Sequence, residues 1–140
     1  MGDREGNSGL VRHENAAVGY TARAVCLAVA EREASRLLLF DQAGQLCGHR
    51  AKKDAEAELV RPAEETQALA FAGIHVVSPR IFGLMREQGA FSIIDAYLRL
   101  AAEGEKVVAF RADGAYWRDL GRPESIAAAE KDIQSGVAGL

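Results

Sequence analysis

Apolar residues gather along this chain in runs of two kinds. Arg23–Ala30 (RAVCLAVA) is apolar on both faces, with Val25, Leu27 and Val29 alternating with Ala24, Cys26 and Ala28, the pattern of a strand covered on both sides. Leu37–Phe40 is a second such run. Asp41-Gln42-Ala43-Gly44-Gln45 then supplies a turn, and residues 46–49 return as the other arm of a hairpin. Residues 50–66 are charged and carry Pro62, which predicts an exposed excursion. Residues 68–77 (ALAFAGIHVV) predict a long buried strand with Gly73 inside it, a position where glycine permits close approach of another backbone or a ligand.

Beyond this point the pattern turns helical. Ser78 as N-cap and Pro79 at the first helical position predict a helix over 79–87, closed near Gly89. Ser92 and Asp95 have the spacing of a capping box ahead of Ile93–Ala102, which Gly104 closes. A short strand over 106–110 follows, then a turn at Asp113-Gly114 and a returning segment at 115–117. Pro123 opens an Ala-rich helix to Gln134, with Gly136 beyond. Strands alternating with helices predict a layered α/β domain. At the other end, residues 1–9 (MGDREGNSG) have no hydrophobic period and are expected to form a flexible tail. The run Leu10-Val11-Arg12-His13-Glu14 has the look of a last helical turn.

Composition narrows the function classes. The 140 residues carry 17 basic and 20 acidic side chains. A chain of this size buries roughly two thirds of its unfolded surface, which supports one core over residues 10–140. A net charge of −3 argues against a nucleic-acid partner. No apolar run approaches the ~20 residues of a membrane span, and the first residues have neither a signal peptide nor a transit helix. Cys26 and Cys47 stand without a second Cys or a His at ligand spacing, so a disulfide framework and a zinc module are both poor readings and both thiols are expected in the core. A reduced, cytoplasmic domain is the expectation.

No P-loop, G-x-G-x-x-G, H-E-x-x-H or G-x-S-x-G motif occurs. His13, His49 and His75 are far apart in sequence, and His75, within an apolar strand, is expected to be a hydrogen-bonded core histidine. The informative stretch is AYWRDLGRPESIAAAE, residues 115–130. It places Asp119 at the carboxyl end of a strand, where α/β folds hold their ligands, with Gly121 for a tight turn and the helix at Pro123 aiming free N–H groups at the same crevice. A carboxylate beside a helix N-terminus suits Mg²⁺ together with a phosphate. From spacing alone, Asp119 is equally a residue that caps the turn.

Five stretches in series, RAVCLAVAERE, SRLLLFDQAGQLCG, FAGIHVVSPRIF, GAFSIIDAYLRLAAEG and YWRDLGRPESIAAAE, resemble the C-terminal half of bacterial sugar-1-phosphate nucleotidyltransferases, the group of mannose-1-phosphate guanylyltransferases and N-acetylmuramate-1-phosphate uridylyltransferases. The resemblance covers residues 22–134. It implies a Rossmann-like α/β fold with a mixed, mainly parallel sheet flanked by helices. It also implies a reaction in which a phosphate oxygen of a sugar 1-phosphate attacks the α-phosphorus of a nucleoside triphosphate in line, giving a nucleotide sugar and pyrophosphate. The acidic residue of the W-x-D-x-G motif, Asp119 here, is implied as the Mg²⁺ ligand, and Gly73 of the F-x-G-I stretch as part of the sugar pocket.

The departures shape the expectation as much. These 140 residues contain no G-x-G-x-R loop and no E-K-P sugar-site motif, and Arg122 stands where the family often has Thr. The expectation is therefore the sugar-recognising half of a nucleotidyltransferase, inactive alone. The alternative is a non-catalytic binding or oligomerisation module whose uncovered half-domain face pairs with a second copy. Arg36 is expected as an exposed arginine at a strand start, with contact to a phosphate as the lesser reading, and Trp117 as a core anchor beside the Asp119 turn ahead of a sugar-stacking platform.

Overall fold

A computed structural model describes residues 23–139. The expected tail at 1–9, the helical turn at 10–14 and His13 lie outside the described residues. In chain order the elements are strands β1 (Arg23–Ala30), β2 (Leu37–Phe40), β3 (Leu46–Arg50), β4 (Glu58–Leu59) and β5 (Gln67–Val77), helices α1 (Ile81–Leu84) and α2 (Ile93–Ala102), strand β6 (Lys106–Arg111) and helix α3 (Pro123–Gln134).

The strands form one sheet in the order β4-β3-β2-β5-β1-β6. Among the described residues only β1 and β6 pair in parallel; β1–β5, β2–β5, β2–β3 and β3–β4 are antiparallel. This corrects the expected mainly parallel sheet, and the connections explain why. A parallel neighbour needs a crossover of a dozen or more residues. Among the described residues the one parallel pair, β1 and β6, is joined by the long path over residues 31–105, whose last part, α1 and α2, carries the chain from β5 past β1 to β6, while the neighbours β2 and β3 are joined by the tight turn at 41–45. There Asp41 accepts the amides of Ala43 and Gln45 on its Oδ1, and Gly44 takes the positive φ of 73° that the turn requires.

Strand β5 organises the sheet. Eleven residues span about 35 Å, and its two ends serve different neighbours. Gln67, Ala68 and Leu69 pair with β2, whereas Ala70, Phe71 and the run to Val77 pair with β1. The loop from β1 to β2 therefore stays short, because β2 simply continues past the end of β1 on the other side of β5. The sheet also curls. Gln45 bridges Val108, and the Ala109 amide donates to the Gly44 carbonyl at 2.9 Å, so the β2–β3 turn reaches the outer side of β6.

The core lies on the concave face. Val25, Leu27, Val29, Leu38, Phe40, Leu46, Leu69 and Val107 meet Tyr97, Leu100 and Ala101 of α2, whose spacing puts them on one helical face. Part of the opposite face is open among the described residues: Cys26 pairs with Val76 and Val108, and Ile74, Val76 and Phe110 are more than 60% exposed, whereas Ala28, Leu37 and Leu39 on the same face are buried. The expected buried strand at 68–77 is thus fully buried only at Leu69 and Ala70; in its second half Val77 packs partly on the core and His75 meets Tyr97, while Ile74 and Val76 on the other face are left exposed. Cys47 is buried, its thiol donating to the Leu39 carbonyl, while Cys26 is half-buried on the open face.

Two helices differ from expectation. The segment expected as a helix over 79–87 begins at Ser78, whose carbonyl accepts from Ile81, but α1 ends at Leu84, with Met85 already extended. Only Ile81 of α1 is buried, so little packing rewards a longer helix around Gly83. Glu87 turns back to Arg99 of α2 instead. Helix α2 has the expected bounds, but Ser92 makes no side-chain cap bond and Asp95 pairs with Arg36 at 2.7 Å. Helix α3 begins at Pro123 as expected and buries none of its residues; Asp132 holds it to Tyr116 and Arg118. No helix among the described residues is long and apolar enough to cross a membrane.

Candidate functional site

Where β1 leaves the sheet, the loop 31–36, the middle of β5, the start of α2 and the segment 117–119 enclose a cleft of about 650 Å³. Gly73 and Asp119, the two residues expected in a site, both line it, together with Arg32, Arg36, Phe71, Ile94 and Trp117. The elements meet for local reasons. The Ala112 amide donates to the Val29 carbonyl, and Asp113 accepts the Glu31 amide at 2.7 Å, so the turn after β6 is fastened to the end of β1. Arg111 bonds the other Asp113 oxygen at 2.6 Å, and these contacts hold the carboxyl well below its usual range, at about 2. Downstream, Tyr116 and Arg118 are moored to Asp132 of α3. Between these two moorings Trp117 is directed at β5.

Gly73 makes the wall that Trp117 meets. Opposite Ala28 the register slips: Leu27 faces His75 and Val29 faces Phe71, so β5 carries extra residues there. Gly73 absorbs the bulge with φ of 77°, and a side chain built on it would meet nothing within 4 Å. The two carbonyls just before it face the cleft's cation and indole. Ala72 accepts from Trp117 Nε1 at 2.8 Å, and Phe71 accepts from Arg32 Nη2 at 2.6 Å. The Arg32 guanidinium carbon lies over the Trp117 ring, 3.5 Å from its centroid. Burial depresses the Arg32 pKa, and the nearby Asp119 carboxylate works against that depression.

Asp119 stands on irregular backbone, not at a strand end, because residues 115–117 form no strand among the described residues. Its Oδ1 accepts the Gly121 amide at 2.8 Å, the turn-capping role that spacing left open, while Oδ2 has no hydrogen-bond partner among the described residues. The first turn of α3 does not line the cleft, so the expected convergence of helix N–H groups on Asp119 is absent. Among the described residues no three His, Cys, Asp or Glu side chains are grouped to hold a metal. What Asp119 leaves for a cation is a single carboxylate oxygen, so a hard divalent ion there would have to complete its shell with ligand and water oxygens.

Other expectations fare differently. His75 is hydrogen-bonded, its Nδ1 lying 2.5 Å from the hydroxyl of buried Tyr97, but it is exposed on β5 and not part of the core. Burial pushes the Tyr97 pKa up to about 12. Trp117 is 37% exposed and anchors the bulge, not the core. Arg36 is half-buried and paired with Asp95 instead of solvated. The residue the sequence reading passed over is Arg32. Its signal was position, two residues past the carboxyl end of a buried strand, where ligands of α/β folds collect.

A model of the nucleotidyl transferase family matches residues 53–136, more than half of the chain. The match takes in Gly73, Trp117 and Asp119 but not the loop that carries Arg32. No curated protein matches the chain.

Proposed function

Because the chain belongs to the nucleotidyl transferase family, we propose that its cleft receives a sugar 1-phosphate and that the chain is the sugar-recognising half of such an enzyme. The observation that carries this reading is that Gly73 and Asp119, distant in sequence, line one cleft. The open backbone at Gly73 leaves room for sugar hydroxyls to meet the strand, and Trp117, fixed through Nε1, holds the bulge in shape. Asp119 Oδ2 is the oxygen that would hold Mg²⁺, and when bound the ion offsets the charge of phosphate oxygens.

In the transfer itself a bond forms between a sugar-phosphate oxygen and the α-phosphorus of a nucleoside triphosphate, and the bond to pyrophosphate breaks. The contribution of this chain is to orient the attacking group. With no G-x-G-x-R loop in these 140 residues, the pure chain is expected to bind without turnover. Calorimetric titration with mannose 1-phosphate, N-acetylmuramate 1-phosphate and their nucleotide sugars tests this, with and without Mg²⁺, on the wild type and Asp119→Ala. Mg²⁺-dependent binding that Asp119→Ala abolishes is the expected result. Binding indifferent to both Mg²⁺ and Asp119 refutes the metal role, and turnover by the pure chain refutes the half-enzyme reading.

The open row of Ile74, Val76 and Phe110 favours a second reading, a module that associates through this face. Sedimentation that finds only monomer at high protein concentration removes it.

A further inference from the structure

Arg32 is the one guanidinium in the cleft that is not part of an ion pair among the described residues; Arg36, its neighbour there, is held by Asp95. Charged side chains withdrawn from water are normally paired. Arg32 has instead one acceptor, the Phe71 carbonyl, for its five N–H groups. Its Nε is buried without a hydrogen-bond partner, and Nη1 has none among the described residues. The side chain is nevertheless held in place, over the Trp117 indole and tied through Nη2 to the Phe71 carbonyl. A rigid cation with unused donors has already lost the rotamer freedom that binding would otherwise remove.

We infer that Arg32 is the phosphate-binding residue of this cleft. Its planar fork matches two phosphate oxygens, and Asp119 on the same cleft selects among anions. Any anion beside Asp119 meets repulsion, which a divalent ion held there would turn into attraction, and a phosphate dianion would gain more from that ion and from the Arg32 fork than a monocarboxylate. The identity of the ligand as a phosphosugar rests on the function proposed above; the assignment of Arg32 rests on its own geometry.

Trp117 is the sole tryptophan of the chain, so its fluorescence reports on the stacked pair directly. The test titrates inorganic phosphate and mannose 1-phosphate, in Mg²⁺, into the wild type, Arg32→Gln and Arg32→Lys, with calorimetry as a second readout. The wild type is expected to show a saturable change in Trp117 emission with both ligands. Arg32→Gln is expected to weaken both about ten- to hundredfold, the range for hydrogen bonds to a charged group. Arg32→Lys, which keeps the charge but not the fork, is expected to lie between, and it carries the test if the Gln variant does not fold. Unchanged affinity for both ligands in the variants overturns the inference, even where Asp119→Ala still abolishes Mg²⁺-dependent binding. Arg32-dependent phosphate binding, with mannose 1-phosphate no tighter than phosphate, upholds the inference and removes the phosphosugar reading. No binding of either ligand by the wild type overturns both.

Discussion

Replacing Gly73 with alanine isolates the cost of the bulge. At φ of 77° an L-residue suffers from its own Cβ, by roughly 1–2 kcal/mol. A side chain at this position would meet no heavy atom within 4 Å, so no clash adds to that figure. Alanine also restricts the unfolded chain, which returns about 0.4–1 kcal/mol. The balance is a loss of about 1 kcal/mol. Asparagine tolerates the left-handed region better, so Gly73→Asn is expected to lose less than Gly73→Ala. Gly83→Ala, in α1 at ordinary φ and equally uncrowded, reverses the sign and gains about 0.5–1 kcal/mol. Urea unfolding followed by far-ultraviolet circular dichroism gives all three differences on one scale, and Trp117 fluorescence shows whether the indole keeps its bond to Ala72. A Gly73→Ala protein as stable as the wild type would refute the positive-φ bulge and, with it, the account of how Trp117 and Arg32 are seated.

Three further outcomes are expected. A Cβ on Gly48 would clash with the Glu58 carbonyl oxygen, so Gly48→Ala sheds β4 and costs about 1–3 kcal/mol; hydrogen exchange at the Val60 and Arg61 amides, which donate to the Cys47 carbonyl, would rise while exchange in β1 stays slow. Tyr97 has its pKa raised to about 12 by burial, so its contribution to stability is complete below the unfolded value near 10 and is lost as pH rises toward 12. Tyr97→Phe removes the phenolate absorbance step near pH 12, and a step that persists in that variant contradicts the assignment. The hydrogen bond from Arg99 holds Glu87 at about 2, so its stabilisation is present above the ordinary value of 4.5 and fades as pH falls toward 2. Urea midpoints measured across that window are expected to fall less steeply in Glu87→Gln than in the wild type.

Element identities were legible where local chemistry decides them. The bounds of β1, β2, α2 and α3 follow from a doubly apolar run, a turn with Asp41 and Gly44, helical spacing and Pro123, all of which act within a few residues. Strand direction was not legible, because apolarity on both faces signals burial and not orientation; the stagger of β1 and β2 along β5 depends on contacts between segments far apart. The same holds for burial. Ile74, Val76 and Phe110 have the residue types of a core, but covering them needs a second layer that residues 23–139 do not supply. In the site, Gly73 and Asp119 carried local signals, a glycine inside a strand and an acid before a Gly-Arg-Pro turn. Arg32 carried almost none. Its role depends on an indole and a carbonyl brought beside it by the mooring at Asp113 and the bulge at Gly73.

The contact between Ala109 and Gly44 bears on how copies of this protein meet. Exposed strand borders with free N–H and C=O groups are templates for growth by strand addition. Here β6 has its middle occupied by the β2–β3 turn, and the far border, β4, is two residues long. Among the described residues neither side of the sheet offers a length of unpaired backbone on which a ribbon of subunits would propagate. Any pairing of copies would then rest on side-chain contact through the apolar face, a contact that saturates once that face is covered and so ends at a finite assembly instead of a fibre.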